Sequence, residues 1–569
     1  MTHSDVSDKK FIPQVLAWIL VAITFLVSVG VLAWGFDKGF LLSDGGHYLL
    51  RYQDIQPSET HTWILEHLLV KSFIPAWLRT ITGLRYLGLC INLFSSALFG
   101  LAIWRVSKQF FKRIPNAPLL VLMMLAGLVL SYSFLPCELS YLSLSQFFIN
   151  IAASLLILSL LVRQSREFVM VLVSAIGCSL LTLTKIPAGF AFAALSILTL
   201  AFTNHRKAAV SFTITWILGF VLLWLHYKLD IGWFVTDIRL MLQNTHKNHL
   251  HVRAFRPVEL VGILGVSLLI AMLITHSYRF FHTGKGPRAV QITALTGLTL
   301  TLSVWLAYGA LQPLTGSYVK SDFLVMPIFY IVYSHLVKTI SMKSIIPSVT
   351  TSLRHHRTLA AILFLLLCIP YAGALGSWGS MNLMSKYFLI SHLGMLYLLI
   401  PFWQFKYRNH IAWAYTIFLI AAGTWSYVMY PMGYGPLYKQ TIEYKGIRYE
   451  PEMAKHLRLI EDTLRNNGFR KDQGIIAPLS PGIIYLMGSF SPGGILWSKD
   501  YLEGYLKNLK ATELQLNPVV IICPGGMSDE FVNGLKEATG LDLNRDYRME
   551  HNAELVGYWQ IYFPIDKVR

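Results

Sequence analysis

The chain has 569 residues, of which 54% are hydrophobic and 14% are charged, and its mean hydropathy is +0.51. Because soluble proteins carry about 25% charged residues, this composition excludes a soluble globular protein, a disordered chain and a fibre. Basic residues outnumber acidic ones by 18, and residues 1–430 hold 32 basic against 13 acidic residues, so all of the excess lies there. This distribution is typical of cytoplasmic loops in a membrane protein and argues against nucleic-acid binding.

Apolar runs of about 20 residues recur along most of the chain and predict a polytopic α-helical membrane protein. The first run, at residues 12–35, follows Lys9 and Lys10. It is too long for the apolar core of a signal peptide, so we predict a retained span and a cytoplasmic N-terminus. The polar stretch at residues 36–85 is then the first outside loop.

With the first run, hydropathy predicts about 13 transmembrane helices. The other predicted spans cover residues 86–104, 117–135, 146–162, 168–184, 187–203, 209–228, 257–275, 289–311, 323–340, 358–375, 387–403 and 410–429. Lys and Arg concentrate in alternate loops, as the positive-inside rule requires. An odd number of spans places the C-terminus outside, and no repeat relates the two halves of the hydrophobic region.

Proline and glycine at residues 431–436 predict a linker between a transmembrane domain, residues 1–430, and an extracytoplasmic domain, residues 431–569. The second domain has the pattern of a mixed α/β fold. Apolar residues at helical spacing predict a helix over 453–464, which Gly468 would end. Short apolar runs predict strands at 475–476, 483–487, 519–523 and 555–563.

Asp44 is the first candidate for chemistry, because it is an acid at the point where the first span leaves the membrane. A carboxylate there is partly desolvated and could take a proton from an acceptor hydroxyl. His47, Tyr48 and Arg51 follow it and are candidates for substrate binding. The structural alternative is a polar turn, with the two glycines after Asp44 in the turn and Asp44 as a helix N-cap.

Residues 61–78 have the pattern of an amphipathic helix in the membrane interface. An aromatic belt that only anchors the chain is the alternative. The residues concerned are Trp63, Phe73 and Trp77 on the predicted membrane side, and Glu66, His67 and Lys71 on the predicted water side.

Other charged residues of interest lie between predicted spans. Glu138, a further candidate for substrate binding, occupies a short polar exit, and Lys185 lies alone between two apolar runs. An outside basic cluster comprises Lys247, His249, His251, Arg253 and Arg256. These cations suit an anionic lipid headgroup or a lipid-linked phosphate. The alternatives are a lysine that only reaches the headgroups and a loop that pairs with its own acids. The histidine spacing does not predict a metal site.

Together these features resemble the GT-C superfamily of membrane glycosyltransferases, which use polyprenyl-phosphate-linked sugars. Relevant members are bacterial relatives of protein mannosyltransferases and of the aminoarabinose transferase that modifies lipid A. The resemblance covers the layout of the whole chain. Its local motifs are Leu-Ser-Asp-Gly-Gly-His-Tyr at 42–48, Thr-Lys-Ile-Pro-Ala-Gly at 184–189 and Ser-Pro-Gly-Ile-Ile-Tyr-Leu at 480–486.

The chain departs from this pattern at one position. Many members carry Asp-Glu in the first loop, and Gly45 stands here in place of the second acid. If that second acid does the chemistry in the family, Asp37 or Asp54 would have to replace it, or the chain would be inactive.

The resemblance implies a mechanism and its partners. The donor would be a polyprenyl-phosphate sugar, and Asp44 would act as base toward a lipid, glycan or protein acceptor, with inversion at C1. The phosphate would be stabilised by Lys185, Arg253, Arg256, Lys247 and Lys320. No cofactor is expected, although divalent metals occur in the superfamily. The resemblance also implies a bacterial inner membrane, with the bilayer as a partner and the C-terminal domain helping to recognise the acceptor.

Three other classes of protein compete with this interpretation. A polysaccharide polymerase or ligase also uses lipid-linked glycans and outside basic loops. A transporter or flippase for lipid-linked glycans is opposed by the odd span count, the missing repeat and the scarcity of ionisable residues within spans. A scaffolding membrane protein would need no catalytic acid.

Overall fold

The computed structural model describes most of the chain in separate stretches. The described residues are 14–56, 64–111, 116–133, 139–162, 165–229, 232, 256–283, 321–339, 357–375, 385–403, 407–430, 435–492, 495, 506, 509, 519–524, 529–550 and 559–565.

Helices dominate these stretches. In chain order they are α1 (Gln14–Trp34), α2 (Asp44–Tyr52), α3 (Glu66–Phe73), α4 (Ile81–Phe110), α5 (Ala117–Tyr132), α6 (Tyr141–Ser159), α7 (Ser165–Thr184), α8 (Ile186–Phe202), α9 (Arg206–His226), α10 (Arg256–Thr283), α11 (Ser321–Thr339), α12 (Arg357–Ala374), α13 (Ile390–Leu399), α14 (Arg408–Met429), α15 (Pro451–Asn466), α16 (Pro481–Met487), α17 (Asp529–Thr539) and α18 (Leu543–Asp546).

A helix coincides with each predicted span except 289–311, which lies outside the described residues. Seven of the described helices are long and apolar enough to cross a membrane: α1, α4, α6, α7, α9, α12 and α14. The multi-pass helical architecture is therefore confirmed, whereas the count of 13 spans is not.

The helix α5 lies at the centre of the bundle, since nearly all of its residues are buried. Glycines let its neighbours approach closely. A Cβ on Gly127 would lie 2.8 Å from the Cα of Ile390, and one on Gly423 would lie 2.9 Å from Val129 Cγ1. Such small-residue contacts are common between membrane helices. Large apolar side chains of α1 and α9 are exposed instead, as expected where lipid covers a helix.

The C-terminal region carries two small sheets. A hairpin pairs β1 (Ile442–Tyr444) with β2 (Ile447–Tyr449), and Lys445 and Gly446 in its turn have positive φ. A four-stranded sheet has the order β3-β4-β6-β5, with β3 parallel to β4 and the other pairs antiparallel. Its strands are β3 (Ile475–Ile476), β4 (Val520–Pro524), β5 (Tyr547–Glu550) and β6 (Trp559–Pro564).

The predicted α/β pattern is confirmed for the helix before Gly468 and for the strands at β3, β4 and β6. The strand predicted at 483–487 is wrong, because this segment is the helix α16. Pro481 in its first turn and Gly488, with φ of +69°, bracket two helical turns. A short apolar run fits either periodicity, so its length did not decide between them.

The first loop and the C-terminal region share one hydrophobic core. Phe40, Leu49 and Leu50 belong to the same buried cluster as Leu457 and Ile483. Packing therefore joins residues on both sides of the predicted domain boundary at 430, and the division into two domains stays a prediction.

Candidate functional site

Asp44 begins α2 and is half-buried. An acid in the first helical turn interacts favourably with the helix dipole. Ser43 is the N-cap residue, although its side chain makes no capping hydrogen bond. Gly45 and Gly46 lie inside the helix, so the alternative of a polar turn at these glycines is wrong.

One side of α2 is joined to α3 by the buried guanidinium of Arg51. It donates to the carbonyl oxygen of Ile64 at 2.9 Å, to Nδ1 of His67 at 2.5 Å and to Oε1 of Glu66 at 3.4 Å. It also donates to Nε2 of His47, one turn earlier, at 3.4 Å. The predicted water-facing position of Glu66 and His67 is wrong, since both are fully buried against Arg51.

The environment of His47 keeps its ring neutral. Burial, reinforced by the positive charge of Arg51, lowers the pKa of His47 well below 6.5. A neutral ring can accept the hydrogen bond from Arg51. His47 and Arg51 thus belong to a buried network, and their predicted contact with substrate stays a prediction.

Tyr48 continues the row that starts with Asp44, one helical turn further on. Burial raises the pKa of its hydroxyl well above 10.0, and the nearby Tyr141, Asp44 and Glu66 raise it further. The Tyr48 hydroxyl therefore stays protonated at neutral pH. Both carboxylates lie close enough to act on it electrostatically.

Tyr141 connects Tyr48 to Lys185. The two tyrosine ring centroids are 5.9 Å apart, and Lys185 Nζ lies 5.5 Å from the Tyr141 centroid, within the range of a cation–π contact. Lys185 stands at the junction of α7 and α8 and donates to the carbonyl oxygen of Gly373 at 2.7 Å. It is fully buried, which excludes the alternative of a lysine reaching the headgroups.

A second buried lysine, Lys386, was not predicted. It lies in a 3-10 helix (Ser385–Phe388) and donates to the carbonyl oxygen of Ser133. A Cβ on Gly373 would lie 2.6 Å from the ring of Phe388, so the segment that carries Lys386 packs on the end of α12 that receives Lys185. The sequence signal was available, since Lys386, like Lys185, is a single cation just before an apolar run.

Five predicted site residues cannot be placed. Glu138, Lys247, Arg253 and Lys320 lie outside the described residues, and Arg256 begins α10 without a described side chain. Their roles stay predictions.

The two acids proposed as substitutes at Gly45 are held by cations. Asp37 pairs with Lys38 at 2.8 Å and with Arg448 at 3.1 Å. Asp54, 68% exposed, pairs with Arg79 at 2.5 Å. The structure instead brings Glu66 to the buried side of α2. Within the described stretches, no group of three or more His, Cys, Asp or Glu residues has the arrangement of a metal site.

No family model and no curated protein matches the chain. Among solved structures, it is similar to the Archaeoglobus fulgidus oligosaccharyltransferase in complex with Zn and sulfate, at 12% identity and a TM-score of 0.45, covering 95% of this chain and 72% of that one. The archaeal oligosaccharyltransferase with an inhibitory peptide and a dolichol-phosphate gives 10% identity and 0.45, covering 97% and 74%.

Proposed function

We propose that this chain is a membrane glycosyltransferase that moves a sugar from a polyprenyl-phosphate donor to an acceptor hydroxyl. One observation carries the proposal: the half-buried carboxylate of Asp44 and the buried ammonium of Lys185 flank the edge-to-face pair Tyr48–Tyr141. A base and a cation arranged around an aromatic platform suit the two ends of a glycosyl transfer, where one group accepts a proton and the other receives a leaving phosphate.

Residues of this chain can accept the proton and stabilise the leaving phosphate in this reaction. The acceptor hydroxyl gives its proton to Asp44 as its oxygen attacks C1 of the sugar. The bond from C1 to the phosphate oxygen breaks, and polyprenyl phosphate leaves with the electron pair. Lys185 and Lys386 offset the charge that develops on that phosphate. Attack opposite the leaving group inverts C1.

Glu66 supplies the second acid of the site. It is fully buried, and it acts on Tyr48 together with Asp44. Its bond to Arg51 fixes its carboxylate in position. In this proposal Glu66, and not Asp37 or Asp54, replaces the second acid of the first loop, where Gly45 stands. Arg51 orients Glu66.

The proposal places the reaction on the extracytoplasmic face of a bacterial inner membrane, where α2 meets α3, α16 and Tyr141 at the start of α6. The donor lipid would lie between spans. The acceptor, a lipid, glycan or protein, would approach from the side of the C-terminal region, residues 431–569.

The test is transfer of radiolabelled sugar from polyprenyl-phosphate donors to cell-envelope fractions. Wild type is compared with Asp44→Asn at matched expression, and Asp472→Asn, a 73% exposed acid far along the chain, is the control. General-base catalysis contributes about 10²–10⁴-fold, so a loss of at least that order is expected for Asp44→Asn alone.

Two further variants separate the other acids. Should Asp44→Asn keep full activity while Asp37→Asn or Asp54→Asn loses it, the chemistry belongs to that other acid. If wild type transfers sugar from no donor, the glycosyltransferase proposal fails, and the ligase and flippase alternatives become the better explanations.

A further inference from the structure

The C-terminal region contacts the start of α2 through two glycines that leave no space for a side chain. A Cβ on Gly46 would lie 2.1 Å from the backbone nitrogen of Gly482, and a Cβ on Gly482 would lie 2.8 Å from the Cα of Leu42. Real Cβ atoms essentially never approach closer than 3.0 Å. Both glycines lie in helices, so close backbone approach, and no special φ, requires glycine here.

A hydrogen bond reinforces this contact. The backbone N–H of Gly482 donates to the carbonyl oxygen of Leu42 at 2.7 Å, and the N–H of Gly46 donates to the carbonyl oxygen of Leu41 at 2.9 Å. Leu42 is two residues before Asp44 and Gly46 is two residues after it. The contact with Gly482 therefore brackets the carboxylate.

Two more attachments hold the segments on either side. Before α2, the N–H of Gly39 donates to the carbonyl oxygen of Arg448 at 2.8 Å. After α2, the Gln56 side chain accepts from the N–H of Ser491 at 2.9 Å and donates to its carbonyl oxygen at 3.3 Å. The C-terminal region thus contacts the first loop at three places: before α2, at its start and after its end.

We propose that Gly482 is a positioning residue through which the C-terminal region sets the location of Asp44; this inference rests on the proposed transferase function. To restore a 3.0 Å contact, a methyl group at position 46 forces the two backbones apart by about 1 Å, and one at position 482 by a few tenths of an ångström. A misplacement of about 1 Å costs up to about 10²-fold in rate. The short helix α2 transmits the shift to Asp44, because a displacement of one part of a rigid helix moves all of its residues.

The experiment compares Gly482→Ala and Gly46→Ala with Gly30→Ala, whose Cβ would meet no atom within 4 Å. In the sugar-transfer assay, kcat should fall by about 10- to 100-fold for Gly46→Ala and by a smaller factor for Gly482→Ala, while KM for the donor changes little. Gly30→Ala should match wild type. Gly482→Ala combined with Asp44→Asn should be no slower than Asp44→Asn, because the effect of Gly482 passes through Asp44.

A milder pair of variants covers the case in which Gly482→Ala does not fold. Gln56→Ala removes two bonds to the C-terminal region, whereas Gln53→Ala removes a bond of the same kind to Arg79 within the first loop. Only Gln56→Ala should lower kcat. Equal kcat for both, or additive losses when Gly482→Ala is combined with Asp44→Asn, would overturn the proposal.

Hydrogen exchange gives a readout that needs no substrate. Amides of residues 41–52 should exchange faster in Gly482→Ala or Gln56→Ala than in wild type, with the spans unchanged. Unchanged exchange in this segment would refute the positioning role. A wild type that transfers no sugar would instead refute the proposed function, and the exchange result would still decide whether the C-terminal region holds α2.

Discussion

Arg51 and Glu66 form an ion pair at 3.4 Å in which neither side chain is more than 3% exposed. The pair joins α2 to α3, two short helices separated in sequence by residues 53–65. Because both charges are out of contact with water, removing either partner leaves the other charge buried without its counter-charge.

Removing one partner should therefore be costly. Glu66→Gln keeps the shape of the side chain and leaves the charge of Arg51 buried, which we expect to destabilise the protein by about 3–5 kcal/mol. Asp462→Asn, which breaks an exposed pair with Arg465, should cost less than about 1 kcal/mol. Thermal unfolding in detergent measures both. Equal Tm values for the two variants would contradict a large contribution of the Arg51–Glu66 pair to the stability of the fold.

Stability should depend on pH through His47. Its folded pKa is lowered by burial and by Arg51, so below pH 6.5 the unfolded chain binds a proton that the folded chain does not. Stability is then complete above pH 6.5 and falls as the pH drops below it. His47→Gln should flatten this acid limb of Tm against pH. His226→Gln, an exposed histidine on α9, should leave it unchanged, and an unaltered limb in His47→Gln would assign it to other groups.

The two buried lysines, Lys185 and Lys386, should be needed for efficient transfer from the phosphate-linked donor. Lys185→Met and Lys386→Met remove positive charge where the phosphate is proposed to leave, and we expect kcat/KM to fall by about 10²–10³-fold, as when a stabilising donor is lost from other active sites. Lys207→Met, on the exposed start of α9, is the control. Rates over a range of donor concentrations measure the effect, with Tm checked in parallel. Unchanged kcat/KM in a folded Lys185→Met protein would remove it from the mechanism.

Arg85 should hold the segment that leads to α2. It is fully buried and donates to the carbonyl oxygens of Phe36, Lys38 and Gly39 at 3.0, 3.1 and 2.8 Å. Each hydrogen bond to a charged group contributes about 1.5–3 kcal/mol, so Arg85→Met should lower Tm clearly. Arg105→Met, exposed on the same helix, should not. Similar Tm values would mean that water replaces the lost bonds.

Hydropathy predicted the helices well because a span must be both long and apolar, and few other patterns resemble it. The residues at helix ends were harder. Asp44 and Lys185 stood out as single charges beside apolar runs, and the structure brings both to the Tyr48–Tyr141 pair. Glu66 and His67 did not stand out in this way, because amphipathic spacing shows that one face is polar without showing what that face contacts.

The partner of Glu66 lies on a different helix, and no local pattern identifies it. The same limit applies to Gly482. A Ser-Pro-Gly sequence indicates a turn or a helix start, whereas the backbone that it touches lies more than 400 positions earlier. Contacts of that kind are set by the path of the whole chain.

The core shared by the first loop and the C-terminal region has a consequence for the order in which the protein matures. Gln56 and Ser491 are 435 positions apart, so the first loop emerges from the ribosome long before its packing partners exist. While the intervening spans are inserted, Phe40, Leu49 and Leu50 lack their packing partners from the C-terminal region. A chain terminated before residue 431 would lack these packing partners and expose apolar surface, which favours aggregation.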